Sequence, residues 1–302
     1  MRSDEMKRIG FIGLGIMGKP MARNVIKNNY DLVVYNRSQA SVQELAKEGA
    51  EAAASPKEVA EKADVVITML PNGPDVQEVL FGDNGAIHGL SHGKILIDMS
   101  SISPVITKEI AVALNKDGIR MMDAPVSGGE QGAIDGTLAI MVGAEQGDFT
   151  EYFDLLSAMG SNVKLVGDVG SGNVAKLVNQ SIVAVNIAVI SEAFLLGAKS
   201  EVNPQSIYEA IHTGLAGSNA LNSKFPLMIE ENFKPGFTLE LHKKDLDNVL
   251  ETAKSLDMEM PLTTMVTEFI QELINSGEAK KDHSALLKYF ESVSSTRLNE
   301  RD

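Results

Sequence analysis

The chain has 302 residues, a formal net charge of −14 at pH 7 and no cysteine. This length suffices for a sizeable hydrophobic core and for two domains. The acidic charge disfavours nonspecific binding to nucleic acid or to anionic membranes, so we expect neither as a partner. Without cysteine there is no disulfide, thiolate nucleophile or cysteine-ligated zinc, which fits a reducing compartment, and we expect a cytoplasmic protein.

The first predicted strand leads into a glycine-rich turn. The apolar run Ile9–Ile12 is followed by Gly13, Gly15 and Gly18, which form a G-x-G-x-x-G motif, and a helix is predicted over residues 17–28. In this setting glycine permits a sharp turn and the close approach of a pyrophosphate, so the pattern favours a dinucleotide site over an ordinary tight connection. The predicted cofactor contacts are Gly13, Leu14, Gly15, Ile16, Met17 and Gly18.

The second predicted strand, Leu32–Tyr35, ends where the adenine ribose of such a cofactor lies. Asn36, Arg37 and Ser38 follow it, and none of them is acidic. NAD-selective sites usually place Asp or Glu here, whereas a guanidinium can accept a 2′-phosphate. We therefore predict NADP(H) in preference to NAD(H). The alternative for Arg37 is a solvated residue in the first turn of the next helix.

Up to about residue 167, short apolar runs alternate with amphipathic ones, which predicts a Rossmann-type, doubly wound and mostly parallel sheet. The further predicted strands are residues 65–70, 95–98, 121–124, 139–142 and 164–166. The helices predicted between strands are residues 42–48, 56–62, 75–80 and 105–115.

After Gly170 helical patterns dominate, so we predict an all-α C-terminal domain. Its first helix, residues 173–199, would be about 40 Å long and would join the two domains. Proline-containing breaks at residues 203–204, 225–226, 234–236 and 260–261 divide the rest into further helices. The predicted NAD(P)-binding domain is residues 1–168, and the predicted substrate and oligomerisation domain is residues 169–302.

The apolar stretch at residues 182–198 contains Asn186, Ser191 and Glu192. Because these polar groups are costly in lipid, we predict a buried helix and no membrane span.

Lys176, Asn179 and Gln180 lie on one face near the start of the long predicted helix. An ammonium there can protonate a developing alkoxide, and a carboxamide can bind a substrate hydroxyl or carboxylate. The commoner case is a solvated lysine.

Ser127, Gly128 and Gly129 follow a predicted strand and can form a carboxylate cradle from backbone N–H groups and a hydroxyl, or simply a strand-end turn. Lys244 precedes Asp245, and the alternative for that pair is a surface ion pair. The five histidines show no metal-binding pattern, so we expect loop or surface histidines and no metal.

Four separated blocks together resemble the β-hydroxyacid dehydrogenases, a family that includes 3-hydroxyisobutyrate dehydrogenase and 6-phosphogluconate dehydrogenase. The blocks are residues 10–20, 123–129, 170–180 and 244–245. Further stretches, at residues 98–102, 135–138 and 282–285, are similar to the members that reduce tartronate semialdehyde.

The resemblance implies that Lys176 is the general acid and base, and that Asn179 orients the substrate. It further implies that Ser127, Gly128 and Gly129 bind the substrate carboxylate, and that Lys244 closes over cofactor and substrate. Many relatives carry asparagine where this chain has Gln180, so the second amide contact is open. The implied contacts near the nicotinamide are Leu70, Pro71, Asn72 and Ser101.

The implied reaction is NAD(P)H-dependent reduction of tartronate semialdehyde to D-glycerate by a homo-oligomer, either a dimer or a tetramer. The pKa of a free lysine is about 10.4, so its side chain is protonated at neutral pH and can donate a proton in the reductive direction. The alternatives are another short aldehyde acid or 3-hydroxy acid, such as glyoxylate, succinic semialdehyde or 3-hydroxyisobutyrate, and a non-catalytic dinucleotide-binding protein.

Overall fold

A computed structural model describes residues 7–299, which form two compact units. The first unit ends at Lys176 and the second begins at Leu177. The division therefore lies after the predicted boundary at residue 168, because the start of the long helix, as far as Lys176, belongs with the N-terminal unit. Residues 1–6 and 300–302, which the predicted domains include, lie outside the described residues.

The N-terminal unit is built on one sheet, to which residues 7–299 contribute nine strands in the order β3-β2-β1-β4-β5-β6-β8-β7, with β9 paired to β8. Strands β1 to β6 pair in parallel, whereas β8 is antiparallel to β6 and β7. The strands are β1 Ile9–Ile12, β2 Leu32–Tyr35, β3 Glu51–Ala52, β4 Val65–Thr68, β5 Ile95–Asp98, β6 Arg120–Asp123, β7 Val126–Ser127, β8 Ala139–Gly143 and β9 Asn162–Gly167.

Helices cover both faces of this sheet. Alternate residues of the central strands enter two separate cores: Phe11 and Ile97 lie in one, and Ile12 and Leu96 in the other. This double burial explains the continuous apolar runs of the parallel strands. The helices are α1 Gly18–Lys27, α2 Gln39–Lys47, α3 Pro56–Lys62, α4 Gly73–Phe81, α5 Pro104–Asn115, α6 Gly129–Asp135 and α7 Gln146–Ser157.

Side-chain caps fix where several of these helices begin. Ser55 accepts the N–H of Glu58 at the start of α3, and Ser103 accepts that of Val105 at the start of α5. Both helices have proline in the first turn, where its missing N–H costs nothing.

The second unit is helical and packs around its own core, which includes Ile187, Phe194, Phe225 and Ile270. Its helices are the remainder of α8 Ser171–Lys199, then α9 Pro204–Ile211, α10 Asn219–Ile229, α11 Leu239–Ser255, α12 Pro261–Asn275 and α13 Leu287–Ser294. The predicted fold class, a Rossmann sheet followed by an all-α domain, is confirmed.

One predicted break is wrong, because Pro226 lies inside α10. Proline removes the N–H that would bond to the carbonyl of Asn222, but Leu221, Phe225 and Met228 are all buried from the same helix. Their burial at helical spacing outweighs the lost hydrogen bond.

Helix α8 is long and apolar enough to cross a membrane by length and composition, with a mean hydropathy of 1.9 in its most apolar window. Its polar groups bond within the helix: Asn186 donates to the carbonyl of Ile182, and Ser191 to that of Ile187. Ile187 and Phe194 belong to the helical core, whereas Ile182, Val189 and Leu196 are exposed, so the helix is buried on one side only and not throughout as predicted. The absence of a membrane span stays a prediction.

Replacing Ile97, a fully buried residue of β5, tests the packing of the sheet. Ile97→Ala should lower the free energy of unfolding of the N-terminal unit by about 2–5 kcal/mol, because it removes buried methylenes and leaves a cavity. Urea denaturation followed by circular dichroism measures this. Val112→Ala, at a position that is 63% exposed, is the control and should change the value by less than about 0.5 kcal/mol. Equal effects of the two changes would contradict the assigned core.

Candidate active site

The glycine turn after β1 has three glycines with different surroundings. Gly13 has φ +100°, and a Cβ on it would lie 2.2 Å from the carbonyl oxygen of Met69. A Cβ on Gly18 would lie 1.9 Å from the carbonyl oxygen of Gly13. Gly15 is exposed, and nothing lies within 4 Å of its missing Cβ. Packing thus requires Gly13 and Gly18, whereas Gly15 leaves open space into which a pyrophosphate fits.

Asn36 ties this turn to the end of β2. Its Oδ1 accepts the N–H of Leu14 at 3.0 Å, and its Nδ2 donates to the carbonyl of Ser38 at 3.1 Å. The sequence suggested only a cofactor contact for Asn36, since an asparagine after a strand carries no specific signal for this bond. Its contact with the cofactor stays a prediction.

Arg37 and Ser38 lie on the exposed rim beyond β2. The Arg37 side chain is 81% exposed, and its Nη2 is 3.6 Å from Asp75 Oδ1. An exposed ion pair of this kind stabilises by about 1 kcal/mol or less, so the guanidinium can turn toward a phosphate at little cost. The predicted contact of Arg37 with a 2′-phosphate stays a prediction, as does that of Ser38 with the cofactor.

The loops predicted to contact the nicotinamide leave neighbouring parallel strands. Thr68 at the end of β4 is paired in register with Asp98 at the end of β5, so Leu70 and Ser101 follow adjacent strand ends. The N–H of Leu70 donates to Ser100 Oγ at 2.9 Å, which joins the two loops.

The same loop after β4 contains Pro71, which is exposed, and Asn72, whose Oδ1 accepts the N–H of Asp75. Asn72 therefore caps α4. This bond does not test the predicted contact of Asn72 with the cofactor. That contact stays a prediction, as does the contact of Pro71.

The predicted carboxylate cradle begins at the end of β7. Ser127 is half-buried and paired with Ala139 of β8. Gly128 and Gly129 follow with φ of +142° and +64°, and both are exposed. Nothing lies within 4 Å of a Cβ on Gly129. Since backbone is exposed here beside a hydroxyl, an anion can approach it.

Lys176 lies on the second turn of α8 and is only 6% exposed, so the expectation of a commonplace solvated lysine does not hold. The start of α8 is anchored by Asp123, whose carboxylate accepts the N–H groups of Gly170 and Asn173 at 2.6 and 2.7 Å. Burial raises the pKa of Asp123 to about 6, against the lowering effect of these two bonds.

The amide of Gln180 is engaged by the protein at both ends. Its Oε1 accepts from Asn179 Nδ2 at 2.8 Å, and its Nε2 donates to Asp245 Oδ2 at 2.6 Å. These bonds make Gln180 a support for Asn179, and its predicted contact with substrate stays a prediction.

Lys244 approaches the same buried aspartate, with its Nζ 2.9 Å from Asp245 Oδ1. Asp245 is buried, so the pair is not the surface ion pair that the sequence left open. Asp245 therefore links the start of the helical unit to α11.

Two histidines depart from the expected loop or surface position. His242 and His283 are 1% and 6% exposed, and their Nδ1 atoms lie 2.9 Å apart. His242 Nε2 lies 3.2 Å from the carbonyl of Gln180, which can only accept, so Nε2 carries the proton. In neutral His242 the Nδ1 atom then accepts from His283. The Gln180 carbonyl thus satisfies one nitrogen of the buried His242 ring, and His283 satisfies the other.

Among the described residues no group of three or more His, Asp or Glu side chains can hold a metal ion. The geometry thus comprises a dinucleotide turn, an exposed arginine rim and a buried lysine.

Family models match both parts of the chain. The NAD binding domain of 6-phosphogluconate dehydrogenase matches residues 8–167, and the NAD-binding domain of NADP-dependent 3-hydroxyisobutyrate dehydrogenase matches residues 170–290. The chain is 40% identical over 291 residues to 2-hydroxy-3-oxopropionate reductase of Escherichia coli, covering 96% of this chain and 99% of that protein. It is 37% identical to mitochondrial 3-hydroxyisobutyrate dehydrogenase of Rattus norvegicus, covering 93% and 86%.

The chain belongs to the β-hydroxyacid dehydrogenase family. Among solved structures, 3-hydroxyisobutyrate dehydrogenase of Mycobacterium tuberculosis with L-serine matches with a TM-score of 0.87 and 29% identity, covering 94% of this chain and 98% of that one. The protein is accordingly an oxidoreductase with an NAD(P)-binding domain, and the family predicted from the sequence is confirmed.

In this hydroxyacid dehydrogenase, Asp282 organises the end of the helical unit. Burial would raise the pKa of Asp282, but the charges of His283 and Lys224 and the N–H groups of Ser284 and Phe237 lower it to about 2. Because the folded pKa lies below the ordinary 3.8, this stabilisation is present above that pH and is lost as the pH falls through about 2.

Asp282→Asn should destabilise the helical unit by about 3–5 kcal/mol at pH 7, because Lys224 is left without its buried partner. Thermal and urea unfolding at pH 7 measure the loss. The matched control is Lys280→Met, which breaks the exposed pair with Glu240 and should cost about 1 kcal/mol or less. A loss at Asp282 no larger than the control would refute the assigned network.

Proposed function

We propose that the protein reduces tartronate semialdehyde (2-hydroxy-3-oxopropanoate) to D-glycerate with NADPH, using Lys176 as the general acid. The observation that carries the proposal is the burial of Lys176 on α8, because a buried lysine is rare and costly, and buried ionisable groups are concentrated at functional sites. The 40% identity to a 2-hydroxy-3-oxopropionate reductase, over nearly the whole of both chains, supports this substrate.

When bound, the reduced nicotinamide would supply a hydride to the aldehyde carbon. In the same step Lys176 gives a proton to the aldehyde oxygen, so that the carbonyl becomes a primary alcohol and the lysine is left neutral. Solvent returns the proton to Lys176. The nicotinamide loops after β4 and β5, with Leu70, Pro71, Asn72 and Ser101, would orient the ring that donates the hydride.

The substrate carboxylate would bind the Ser127 hydroxyl and the N–H groups of Gly128 and Gly129. In a protein with a net charge of −14 such an anion needs local donors, and this exposed backbone provides them. The proposed substrate contacts of the helical unit are Asn179, Gln180 and Lys244.

The rival functions are of two kinds, which differ from the proposal in substrate or in lacking catalytic activity. The 37% identity to a 3-hydroxyisobutyrate dehydrogenase favours oxidation of a branched 3-hydroxy acid. Glyoxylate and succinic semialdehyde also present an aldehyde and a carboxylate. A non-catalytic dinucleotide-binding protein would keep the fold without turnover. We also propose that the protein is cytoplasmic, in keeping with the lack of cysteine, and that it forms a homo-oligomer, as the family resemblance implies.

Lys176→Ala should lower kcat for tartronate semialdehyde by about 10²- to 10⁴-fold, since a positioned acid contributes that much. The Kd for NADPH, from fluorescence titration, should stay within twofold of the wild type. Lys199→Ala removes an exposed lysine from the other end of the same helix and serves as the control. Unchanged turnover in Lys176→Ala would exclude this lysine as the acid.

Arg37→Gln should lower kcat/KM for NADPH by about 10- to 100-fold, because a charge-assisted bond to the 2′-phosphate is worth about 1.5–3 kcal/mol. With NADH the value should not change. Lys47→Gln, which removes an exposed charge from the end of α2, is the control. A similar loss with both cofactors would show that Arg37 does not select the phosphate.

Substrate preference separates the rivals. We expect kcat/KM for tartronate semialdehyde to exceed that for succinic semialdehyde and glyoxylate, because a site that hydrogen-bonds the C2 hydroxyl rejects substrates without it. Initial rates of NADPH loss with each aldehyde, and of NADP⁺ reduction with 3-hydroxyisobutyrate, measure this. A higher kcat/KM with 3-hydroxyisobutyrate than with tartronate semialdehyde would show that 3-hydroxyisobutyrate is the better substrate and would contradict the proposal. Stabilisation by NADPH without turnover of any of these acids would favour the binding protein.

A further inference from the structure

Two buried carboxylates lie side by side at the carboxyl edge of the sheet. Asp98 ends β5 and Asp123 ends β6, and the two residues are directly paired in register. Neither has any exposed surface. Asp98 Oδ1 accepts hydrogen bonds from the Thr68 hydroxyl at 2.8 Å and from the N–H of Ser100 at 3.1 Å. Asp98 therefore binds the end of β4 and the start of the loop after β5. Asp123 is directed differently, toward the start of α8.

The two oxygens of Asp123 hold two N–H groups of the first turn of α8. Oδ1 accepts from Gly170 and Oδ2 from Asn173. A carboxylate is suited to this position because the helix N-terminus presents unsatisfied donors and positive potential. A carboxamide, with a single acceptor oxygen, cannot accept both bonds in this way.

Two glycines make room for this carboxylate. A Cβ on Gly143 would lie 2.2 Å from Asp123 Oδ1, and one on Gly172 would lie 2.4 Å from the carbonyl oxygen of Met141 and 2.9 Å from Asp123 Oδ2. Any side chain at either position would displace the carboxylate or the helix. The space is therefore fitted to the aspartate.

Asn173 fixes the same turn from its other side. Its Oδ1 accepts the N–H of Ile102, and its Nδ2 donates to the Thr107 hydroxyl, each at 3.1 Å. Lys176 follows three residues later, on the same face of the helix. The bonds of Asp123 and Asn173 thus set the position of the helical turn that carries Lys176 relative to the loop at residues 100–102.

We propose that Asp123 is a positioning residue for the reduction: its carboxylate holds the first turn of α8 so that Lys176 meets the carbonyl oxygen of the substrate. This inference rests on the proposed role of Lys176. Asp123 itself does not touch the reacting atoms.

Protonation of Asp123 should weaken the arrangement, because a neutral carboxyl is a poorer acceptor for the two N–H groups. The negative charge of Asp98 on β5 acts on Asp123 and favours its protonation, and Asp168 lies two residues before Gly170. Lys108 of α5 packs its side chain against Gly170, and both Lys108 and Asp168 are exposed. With the pKa of Asp123 near 6, the neutral form gains population as the pH falls through that value.

Asp123→Asn is the decisive variant, since it imitates the neutral carboxyl without changing its size. At pH 7.5 we expect kcat for tartronate semialdehyde to fall about 10- to 100-fold, the effect of losing one charge-assisted hydrogen bond, while the Kd for NADPH stays within twofold. As the pH falls to 5, kcat of the wild type should approach that of the variant, whose own profile is flat between pH 5 and 7.5, the range around the Asp123 pKa of about 6.

Ser55→Ala is the control for a purely structural effect, because Ser55 caps α3 in the same unit. It should lower Tm without changing kcat. If Asp123→Asn behaves like this control, with a lower Tm and wild-type kcat, the inference is overturned. If kcat is unchanged in both Asp123→Asn and Lys176→Ala, the proposed function fails as well. If kcat falls in Lys176→Ala but not in Asp123→Asn, only the role of Asp123 is overturned.

Thr107→Val keeps the test decisive if Asp123→Asn does not fold. It removes the acceptor of Asn173 Nδ2 and leaves the carboxylate in place. A fall in kcat of at least threefold, with unchanged Kd for NADPH, would support positioning of Lys176 through this turn. Wild-type kcat would overturn it.

Discussion

Parallel pairing of the central strands is the constraint on which the site of the N-terminal unit depends. Because β1, β2, β4, β5 and β6 run in the same direction, their carboxyl ends meet at one edge of the sheet. The glycine turn, the arginine rim and the loops after β4 and β5 all leave from that edge. Ligands bind at this edge in open α/β sheets generally, since loops there vary freely while helices and strands hold their ends in place.

Polar burial behind that edge is the second organising feature. Asp98, Asp123 and Asn173 have no exposed surface, and each accepts or donates bonds at distances of 2.6–3.1 Å. Such groups are costly to bury unless they are hydrogen-bonded, but once bonded they specify one arrangement. The helical unit uses the same device around Asp245 and the histidine pair.

The sequence revealed the parts of the fold that obey strict local rules. The glycine turn could be predicted because Gly13 and Gly18 meet backbone oxygens that exclude any side chain. Buried strands and capped helices gave equally regular signals. Strands β3 and β7 were missed because two residues cannot show alternation, and Pro226 was misassigned because tertiary burial outweighed its local preference.

The residues of the candidate site could be predicted only where they belong to a sequence motif with a known chemical role. The buried His242 and His283 form a hydrogen bond with each other although they are 41 residues apart in the sequence. No rule based on sequence spacing predicts such a contact. The bonds of Asn36 and Gln180 likewise depend on tertiary neighbours. Asp123 stood in a recognisable block, but its partners at Gly170 and Asn173 come from a segment 47 and 50 residues away.

The proposed reduction is tested most directly by following the transfer of deuterium from NADPH that is labelled at both positions of nicotinamide C4. The protein is incubated with labelled NADPH and tartronate semialdehyde, and the product is analysed by mass spectrometry and by chiral chromatography. We expect D-glycerate carrying one deuterium at C3, because the hydride would pass directly from the nicotinamide to the aldehyde carbon. Absence of glycerate, or glycerate without the label, would contradict it.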